Sequence, residues 1–284
     1  MNNQVTIGID NRDGVYYVAR VEQHTGRPDI KALIRFDADH FNGHHLLEGN
    51  QIIISIPDNQ TMIKKVVIPT DENKYMKVRF ELETALGDNP QDFVYDIIQT
   101  KLENYFIGLT IRKELTDKLI EPFVKHNGDL KFSTGGVMRA VALARGFFIY
   151  CQQSGGDFGA IIDFGENSAS IAFYYKQEIV DIDSLPLQTQ YYQNPESFQK
   201  VIIELKTLFN YKLSALLEKG ISVPLSKLFV IGESIDEASM HSLSKNLKIN
   251  ISHPEINRGF ITDRDKNKDI PLDKYLVALG LTAV

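Results

Sequence analysis

The sequence predicts an α/β protein that is built from two similar halves. One pattern occurs twice, at residues 5–21 and at residues 159–174: a short apolar strand reaches an aspartate, turns tightly and continues as a second strand. Each copy is followed by a third extended segment and later by helices. At 284 residues, the chain is long enough for two domains of ordinary size. A repeat half a chain apart therefore indicates a duplicated two-lobe fold.

The first half begins with a run of predicted strands. Its segments are rich in Val, Ile and Tyr and are separated by Gly, Pro, Asn and Asp, a composition typical of strands and turns. The predicted strands cover residues 5–10, 15–22, 30–36, 51–57 and 62–68. A helix is then predicted over residues 71–86, because apolar residues recur there at helical spacing and Asp71 can cap the first turn.

A small subdomain is predicted to be inserted at about residues 92–134. Its expected elements are strands at residues 93–100 and 105–112, a helix at 113–126 and a strand at 130–133. A longer helix, residues 136–153, leads to the Ser-Gly-Gly-Asp segment 154–157, which is the clearest linker in the chain. We therefore expect a first lobe over residues 1–153 and a second lobe over residues 154–284.

The second half repeats the succession of strands and helices. After its third strand, residues 178–183, apolar segments of helical length and of strand length alternate. The expected elements are helices at residues 196–218, 235–247 and 273–283 and strands at 227–231 and 248–252. Both halves are thus predicted to form a sheet covered by helices, as in an α/β fold.

The composition and charge of the chain argue against several classes of protein. The formal net charge of −6 argues against a general nucleic-acid-binding protein, which needs a basic face to neutralise phosphates. The one cysteine, Cys151, excludes an intramolecular disulfide and follows an apolar run, so we interpret it as a buried structural thiol. The sequence shows no signal-peptide pattern and no stretch that approaches about 18 consecutive apolar residues. We therefore expect a cytoplasmic protein that reaches a membrane only through a partner.

Two aspartates, Asp10 and Asp163, are the candidate metal ligands. A carboxylate at the end of a core strand, beside a turn with exposed amides, can hold a hydrated Mg²⁺ ion while the amides cradle phosphates. Gly14 and Gly165 lower the steric cost of tight backbone geometry beside a ligand. The alternative is that Asp and Gly simply terminate these strands, and the sequence leaves both interpretations open.

A third element lies at residues 228–234. Its sequence, Leu-Phe-Val-Ile-Gly-Glu-Ser, predicts a buried strand that breaks at Gly232 and runs into a helix. Ser234 or Asp236 can cap that helix, and a helix N-terminus can accept a polar ligand. By itself, this element is an ordinary connection between a strand and a helix.

Several short stretches, taken together with the paired turns, resemble one known family. They are residues 52–58 with 66–69, the pair Phe80-Glu81, the inserted unit 92–133, the turn 162–168, and the segments 251–254 and 276–281. They resemble the actin-like (ribonuclease H-like) nucleotide-binding fold, and within it the PilM-like proteins of type IV pilus assembly, relatives of the division protein FtsA. The resemblance spans nearly the whole chain and implies a duplicated two-lobe fold with an inserted small subdomain.

The resemblance also implies ligands and a partner. It implies ATP between the lobes, with Mg²⁺ held by Asp10 and Asp163. The implied nucleotide-binding residues are Asp10, Arg12, Gly14, Asp163, Gly165, Ser168, Gly232 and Ser234. The implied partner is the cytoplasmic tail of an inner-membrane pilus assembly protein, which docks as a short peptide in a groove flanked by residues 74–86 and 93–112.

The chain departs from the family pattern in ways that leave its activity open. Arg12 and Asp13 stand where small residues are usual, the expected lysine is missing, and Glu233 stands where a second glycine is usual. Asp13 would place a second negative charge near bound phosphates, at a cost of about 1 kcal/mol or more. We therefore expect ATP binding with weak or absent hydrolysis. The alternatives are a degenerate adaptor without nucleotide binding, as in type II secretion, and an active ATPase or sugar kinase, for which we identify no general base.

Overall fold

The computed structural model of the chain divides into two compact units, each of them discontinuous along the sequence. The described residues are 4–12, 14–24, 27–37, 51–69, 73–87, 89–125, 133–151, 157–188, 191–192, 194–232, 235–261 and 270–283. One unit comprises Met1–Pro57, Glu114–Gln153 and Pro254–Val284, and the second comprises Asp58–Lys113 and Ser154–His253. The division expected from the sequence has the same break after residue 153, but it assigns the C-terminal segment to the second lobe and Asp58–Lys113, which includes residues 92–113 of the inserted subdomain, to the first.

Strands and helices follow each other as an α/β chain. In chain order, the strands are β1 Gln4–Arg12, β2 Val15–His24, β3 Arg27–Asp37, β4 Gln51–Ile56, β5 Met62–Val67, β6 Phe93–Gln99, β7 Tyr105–Arg112, β8 Ser133–Met138, β9 Phe158–Phe164, β10 Ser168–Tyr175, β11 Glu178–Pro186, β12 Lys227–Gly232 and β13 Asn250–Ser252. The helices are α1 Lys74–Leu86, α2 Lys113–Lys125, α3 Arg139–Tyr150, α4 Pro195–Glu218, α5 Glu237–Leu247 and α6 Leu276–Leu281. The predicted α/β class is confirmed.

The first unit is a five-stranded sheet with helices on both faces. Its strand order is β3-β2-β1-β4-β8, in which β1, β4 and β8 are parallel to each other, β2 is antiparallel to β1, and β3 is antiparallel to β2. Neighbouring side chains of β2 point to opposite faces, as strand geometry requires. Val18 packs with Phe123 of α2 on one face, whereas Tyr17 packs with Tyr150 of α3 and Tyr275 on the other. The sheet is therefore buried on both sides.

The C-terminal helix α6 packs against this first sheet rather than against the second. A Cβ atom added to Gly8 of β1 would lie 1.9 Å from the carbonyl oxygen of Ala278, so the strand and the helix touch through their backbones. The same helix crosses α3 at Gly146 and Gly280, each of which lies against the backbone of the other helix. These glycines let α6 approach the sheet and α3 more closely than any side chain would permit.

Strand β8 extends further than the sequence suggested. Residues 136–138 were expected to begin a helix, but Gly135 and Gly136 pair with Ile53 and Ile54 of β4, and α3 begins only at Arg139. A Cβ atom at Gly136 would come within 2.7 Å of the Ile56 side chain, so glycine is the residue that fits this close pairing. The pair Gly135-Gly136 thus belongs to the sheet.

The second unit contains a sheet of the same design. Its strand order, β11-β10-β9-β12-β13, repeats that of the first sheet. Asp10 pairs with Tyr17 across the first hairpin, and Asp163 pairs with Ser170 across the second, each with a partner seven residues later. The register also shifts at the same step, after Arg20 in β2 and after Phe173 in β10. The duplication predicted from the paired hairpins is therefore confirmed down to the register.

The second unit also contains a small three-stranded sheet, β5-β7-β6, that is covered by α1. Val78 and Leu82 of α1 are fully buried against it, and Leu82 fills the space above Gly108, where an added Cβ would lie 2.8 Å away. Strand β5, which the sequence placed among the strands of the first lobe, pairs with β7 of this sheet.

Buried charges join the small sheet to the rest of its unit. Lys65 of β5 lies 2.6 Å from Asp181 of β11, and Lys212 of α4 lies 3.4 Å from the same aspartate. Lys212 also forms an ion pair with Asp183. Lys212 and Asp181 are almost inaccessible to solvent, so this network tolerates the loss of one partner poorly. None of the helices in the described ranges is both long enough and apolar enough to cross a membrane.

Candidate functional site

The predicted site residues of the first half meet at one edge of the first sheet. Because β1, β4 and β8 are parallel, their carboxyl ends lie side by side, which is where open α/β sheets bind ligands. Strand β1 brings Asp10 and Arg12 to this edge, and β4 brings Ser55. Arg139 follows β8 directly as the first residue of α3. Four polar side chains thus converge from three strand ends.

Asp10 is fully buried, and both of its carboxylate oxygens are engaged. Ser55 Oγ donates a hydrogen bond of 2.7 Å to Oδ1. Arg12 Nε donates one of 2.9 Å to Oδ2, and Arg139 Nη2 lies 3.3 Å from the same oxygen. Two guanidinium groups and a hydroxyl therefore surround a carboxylate that solvent does not reach.

These neighbours keep Asp10 ionised. Burial is the largest influence on its pKa and favours the neutral acid, but the charges of Arg139 and Arg12 and the hydrogen bonds from Ser55 and Arg12 together outweigh it. The pKa of Asp10 is therefore lowered from its ordinary value. The cluster is an ion-paired network at neutral pH.

The same cluster holds the turn that follows β1. Arg139 Nη1 donates a hydrogen bond of 3.3 Å to the carbonyl oxygen of Asn11, and the Asn11 amide donates one of 3.4 Å to Ser55 Oγ. The Gly14 amide donates one of 3.2 Å to Asn11 Oδ1. Gly14 adopts φ +88°, a conformation that glycine reaches without strain. Two backbone amides of the predicted phosphate loop are thus already hydrogen-bonded within the unit.

The predicted magnesium role of Asp10 does not fit this arrangement. Mg²⁺ binds oxygen lone pairs in a near-octahedral shell, at about 2.0–2.1 Å. The lone pairs of Asp10 instead accept hydrogen bonds from Ser55 and Arg12, and Arg139 adds a second positive charge beside them. A divalent cation at this carboxylate would lie beside two guanidinium groups, whose positive charges would repel it.

The second half of the predicted site lies at the matching edge of the second sheet. Asp163 is fully buried near the end of β9, beside the parallel strand β12. Gly232 pairs with Phe164, and a Cβ atom there would lie 2.9 Å from the Phe164 Cβ. The Gly165 amide donates a hydrogen bond of 2.9 Å to the carbonyl oxygen of Ser168, which closes the turn. Gly232 therefore serves close packing, and the Gly165 amide serves the turn.

The predicted site residues are divided between the two units. Within the first unit, the fold brings together Asp10 and Arg12, with Gly14 in the turn that follows. Within the second unit it brings together Asp163, Gly165, Ser168 and Gly232. Ser234, together with Asp13 and Glu233, lies outside the described residues. The nucleotide-binding roles of these residues and the metal role of Asp163 stay predictions.

Sequence reasoning missed Ser55, Arg139 and His253. Ser55 interrupts an apolar strand, Arg139 begins a helix directly after a strand, and His253 follows β13. His253 Nδ1 lies 2.9 Å from the carbonyl oxygen of Val230 in β12. Each residue stands at the carboxyl end of a parallel strand, so the strand order would have been the signal that identified them.

The two copies differ in what surrounds their aspartates. In the first sheet, Ile9 pairs with Ile54, so that Ser55 comes next to Asp10. In the second sheet, the strand partner of Asp163 is Ile231. Two residues after each aspartate stand Arg12 in the first copy and Gly165 in the second. Arg12 and Ser55 are therefore neighbours particular to the first copy, where the second copy has Gly165 and Ile231.

A separate candidate surface lies on the small three-stranded sheet. We call it the α1 surface and define it by the exposed side chains of Tyr75, Met76 and Phe80. These side chains are 54%, 72% and 66% exposed. Tyr75 Oη donates a hydrogen bond of 3.2 Å to Gln99 Oε1, and its ring stands edge-on to Phe106. The surface therefore belongs to α1, one of the two segments that were predicted to flank a peptide groove.

Comparison with solved structures identifies the fold. A chain of the PilM–PilN type IV pilus biogenesis complex aligns with a TM-score of 0.71 at 14% identity, over 98% of this chain and 97% of that chain. A protein from Bacteroides thetaiotaomicron with an actin-like ATPase fold and unknown function aligns with a TM-score of 0.54 at 14% identity, over 97% and 96% of the two chains. Neither a protein-family model nor a curated protein sequence matches this chain. The chain therefore has the actin-like ATPase fold, and its predicted resemblance to PilM is confirmed at the level of the fold.

Proposed function

We propose that the chain is an actin-like scaffold that docks a short segment of a partner protein on the α1 surface and does not depend on ATP hydrolysis. The partner of this proposal is the cytoplasmic tail of an inner-membrane pilus assembly protein, which would hold the chain at the cytoplasmic face of that membrane. The fold shared with a chain of the PilM–PilN complex supports the choice of system.

The exposed apolar side chains of the α1 surface carry the proposal. Met76 and Phe80 are four residues apart on one helix and are therefore neighbours on its outer face. Aromatic residues and methionine are enriched in the buried cores of protein interfaces. The unit thus presents to solvent the kind of side chain that a partner covers.

The α1 surface is firmly supported from below. Val78 and Leu82 anchor the inner face of α1 on the sheet. Lys64 Nζ of β5 donates hydrogen bonds of 2.9 Å to the Glu81 carboxylate and 2.8 Å to its carbonyl oxygen. A surface held in this way loses little conformational entropy when it binds a peptide.

Binding of a labelled peptide tests this function. A fluorescein-labelled peptide with the sequence of the partner's cytoplasmic tail is titrated with the chain while fluorescence anisotropy is recorded. We expect Phe80→Asp or Met76→Asp to weaken binding by about 30-fold or more, the effect of losing an interface hot spot worth about 2 kcal/mol. Ile203→Asp on α4 is the matched control, because Ile203 is also apolar and 55% exposed. Equal binding by all four proteins would contradict the proposed surface.

A second candidate function is a scaffold that also binds ATP with Mg²⁺. Asp163, Gly165 and Gly232 favour it, because they stand together at the carboxyl edge of the second sheet, where α/β proteins bind ligands. The hydrogen-bonded amides of Gly14 and Gly165 favour the adaptor without nucleotide.

Calorimetry separates these two candidates. In an isothermal titration with Mg-ATP, the nucleotide-binding scaffold should give a saturable heat that disappears in Asp163→Ala. The adaptor should give no heat, with or without the peptide. Robust steady-state turnover of ATP would instead require the ATPase alternative.

A further inference from the structure

We infer that Asp10 is a positioning residue that holds Arg12 and Arg139 at the carboxyl edge of the first sheet, and that this half of the site works without a divalent metal ion. The ligand class that such an edge recognises is an anionic group, which guanidinium groups can bind directly. The inference concerns the first unit alone and does not depend on the α1 surface.

Both carboxylate oxygens of Asp10 accept hydrogen bonds from side chains of neighbouring residues. Oδ1 accepts a hydrogen bond of 2.7 Å from Ser55 Oγ, and Oδ2 accepts one of 2.9 Å from Arg12 Nε. Arg139 Nη2 lies 3.3 Å from Oδ2. These bonds use one lone pair on each oxygen. The positive charges of the two guanidinium groups beside them disfavour a divalent cation at Asp10.

Asp10 also contributes to the electrostatic balance inside the cluster. Asp10 is fully buried, Arg12 is 6% exposed and the Arg139 side chain is 13% exposed. Buried charges persist when they are paired and hydrogen-bonded. Asp10 supplies the negative charge that both arginines need at this depth, and Tyr17 supplies a ring face to Arg12, whose Cζ lies 5.1 Å from the ring centroid. The carboxylate is thus the counter-ion of two arginines.

This pairing also imposes a geometry on the turn. Held against Asp10, Arg139 also donates a hydrogen bond to the carbonyl oxygen of Asn11. One side chain therefore ties the start of α3 to the turn after β1. Guanidinium groups recognise phosphate or carboxylate oxygens through paired N–H donors and need no metal ion for it. Asp10 acts on such a ligand only through the arginines that it positions.

The second copy provides an internal comparison. Gly165 and Ile231 stand where the first copy has Arg12 and Ser55, so Asp163 lacks these two particular neighbours. Any requirement for a metal ion should then follow Asp163 and not Asp10. Asp10 and Asp163, which occupy equivalent positions, are therefore expected to differ in their need for a metal ion.

A manganese titration tests the absence of a metal at Asp10. Bound Mn²⁺ is counted by electron paramagnetic resonance in the natural chain and in the Asp10→Asn chain, both of which keep Asp163. We expect the same number of bound ions in both. One bound ion fewer in the Asp10→Asn chain would overturn the inference. Circular dichroism at the titration temperature verifies that both chains are folded.

A double-mutant cycle tests the positioning role and remains informative if Asp10→Asn is unstable. Melting temperatures are compared for Asp10→Asn, Arg139→Gln and the double variant. We expect the double variant to melt well above the temperature obtained by adding the two single losses, because Asp10→Asn alone deprives both Arg12 and Arg139 of their carboxylate, whereas the double variant so deprives Arg12 only. Ser55→Ala with Arg139→Gln is the control pair, since Ser55 carries no charge. Additive losses for Asp10 and Arg139 would show that the two residues act independently and would refute the positioning role.

Discussion

The crossing of α3 and α6 offers the sharpest test of how this fold is held together. Gly280→Ala would place a Cβ atom 1.7 Å from the carbonyl oxygen of Ala142, whereas real Cβ contacts essentially never fall below 3.0 Å. The helices would therefore have to separate by about 1.3 Å at this point. Gly146→Ala meets the Leu276 carbonyl oxygen at 2.1 Å and requires a similar movement.

Two opposing effects determine the sign of the result. Ala is a better helix former than Gly by about 1 kcal/mol, so helix propensity alone predicts stabilisation. Separation loosens the buried aliphatic side chains of α6, each of which contributes about 1.5–3 kcal/mol. These side chains are Leu276, Val277, Leu279 and Leu281. A gap of about 1 Å already forfeits roughly a quarter to a half of the dispersion attraction across it. The same fraction of the burial free energy of these four side chains is about 1.5–6 kcal/mol in total. The steric effect should win, with a net loss of about 3 kcal/mol.

Urea unfolding and calorimetry measure this loss. A destabilisation of about 3 kcal/mol should lower the melting temperature by roughly 6 °C in a chain of this size. Gly87→Ala is the matched control: it is the same chemical change, at a position with φ +65° and no atom within 4 Å of the added Cβ. It should cost about 1–2 kcal/mol, through backbone strain alone. If Gly280→Ala stabilised the chain by about 1 kcal/mol, the close helix crossing described here would be wrong.

Three further predictions concern buried polar groups. Partial burial, reinforced by a nearby aspartate, raises the pKa of Cys151 to about 12, so its thiol should react with DTNB at pH 8 about a thousand-fold more slowly in the folded chain than in urea; equal rates would contradict the raised pKa. Burial also raises the pKa of Tyr150 to about 12, so its stabilising contribution is complete below pH 10 and is lost as the pH rises towards 12. In urea titrations between about pH 10 and pH 12, the unfolding free energy of Tyr150→Phe should therefore fall by about 2–3 kcal/mol less than that of the natural chain, and an equal fall would count against this reasoning. Lys212→Met should lower the free energy of unfolding by about 3–5 kcal/mol, because it removes a cation from Asp181 and Asp183. Lys118→Met, in an exposed pair, should lower it by less than about 0.5 kcal/mol, and similar losses would argue against a buried network.

The architecture was predictable because its signals are local. Apolar strands that end at Asp10 and Asp163, with turn residues after them, can be recognised within a window of about twenty residues. The paired hairpins have the same register in the structure, so the duplication read from the sequence is a property of the fold. Periodicity also located α1 and α4 to within a few residues of their observed bounds.

Contacts between distant segments were not predictable in the same way. Gly8 and Gly280 are 272 residues apart in the sequence, and nothing local indicates that each meets another backbone. The C-terminal helix was therefore expected with the second lobe, although it packs on the first sheet. Gly135 and Gly136 were assigned to a helix start for the same reason, since the Ile56 side chain that favours glycine there lies far away along the chain.

The candidate site combines one residue that local sequence identifies with partners that only the fold brings close. Asp10 could be recognised from its own hairpin, but its partners Ser55 and Arg139 come from two other strands, and only the strand order brings them to its side. A carboxylate at a strand end is compatible with a metal ligand and with a counter-ion, and the groups that approach from neighbouring strands decide between them. In this chain those groups are two arginines and a serine. Duplication of the fold therefore does not imply duplication of the chemistry, because Asp10 and Asp163 occupy equivalent positions within different sets of neighbours.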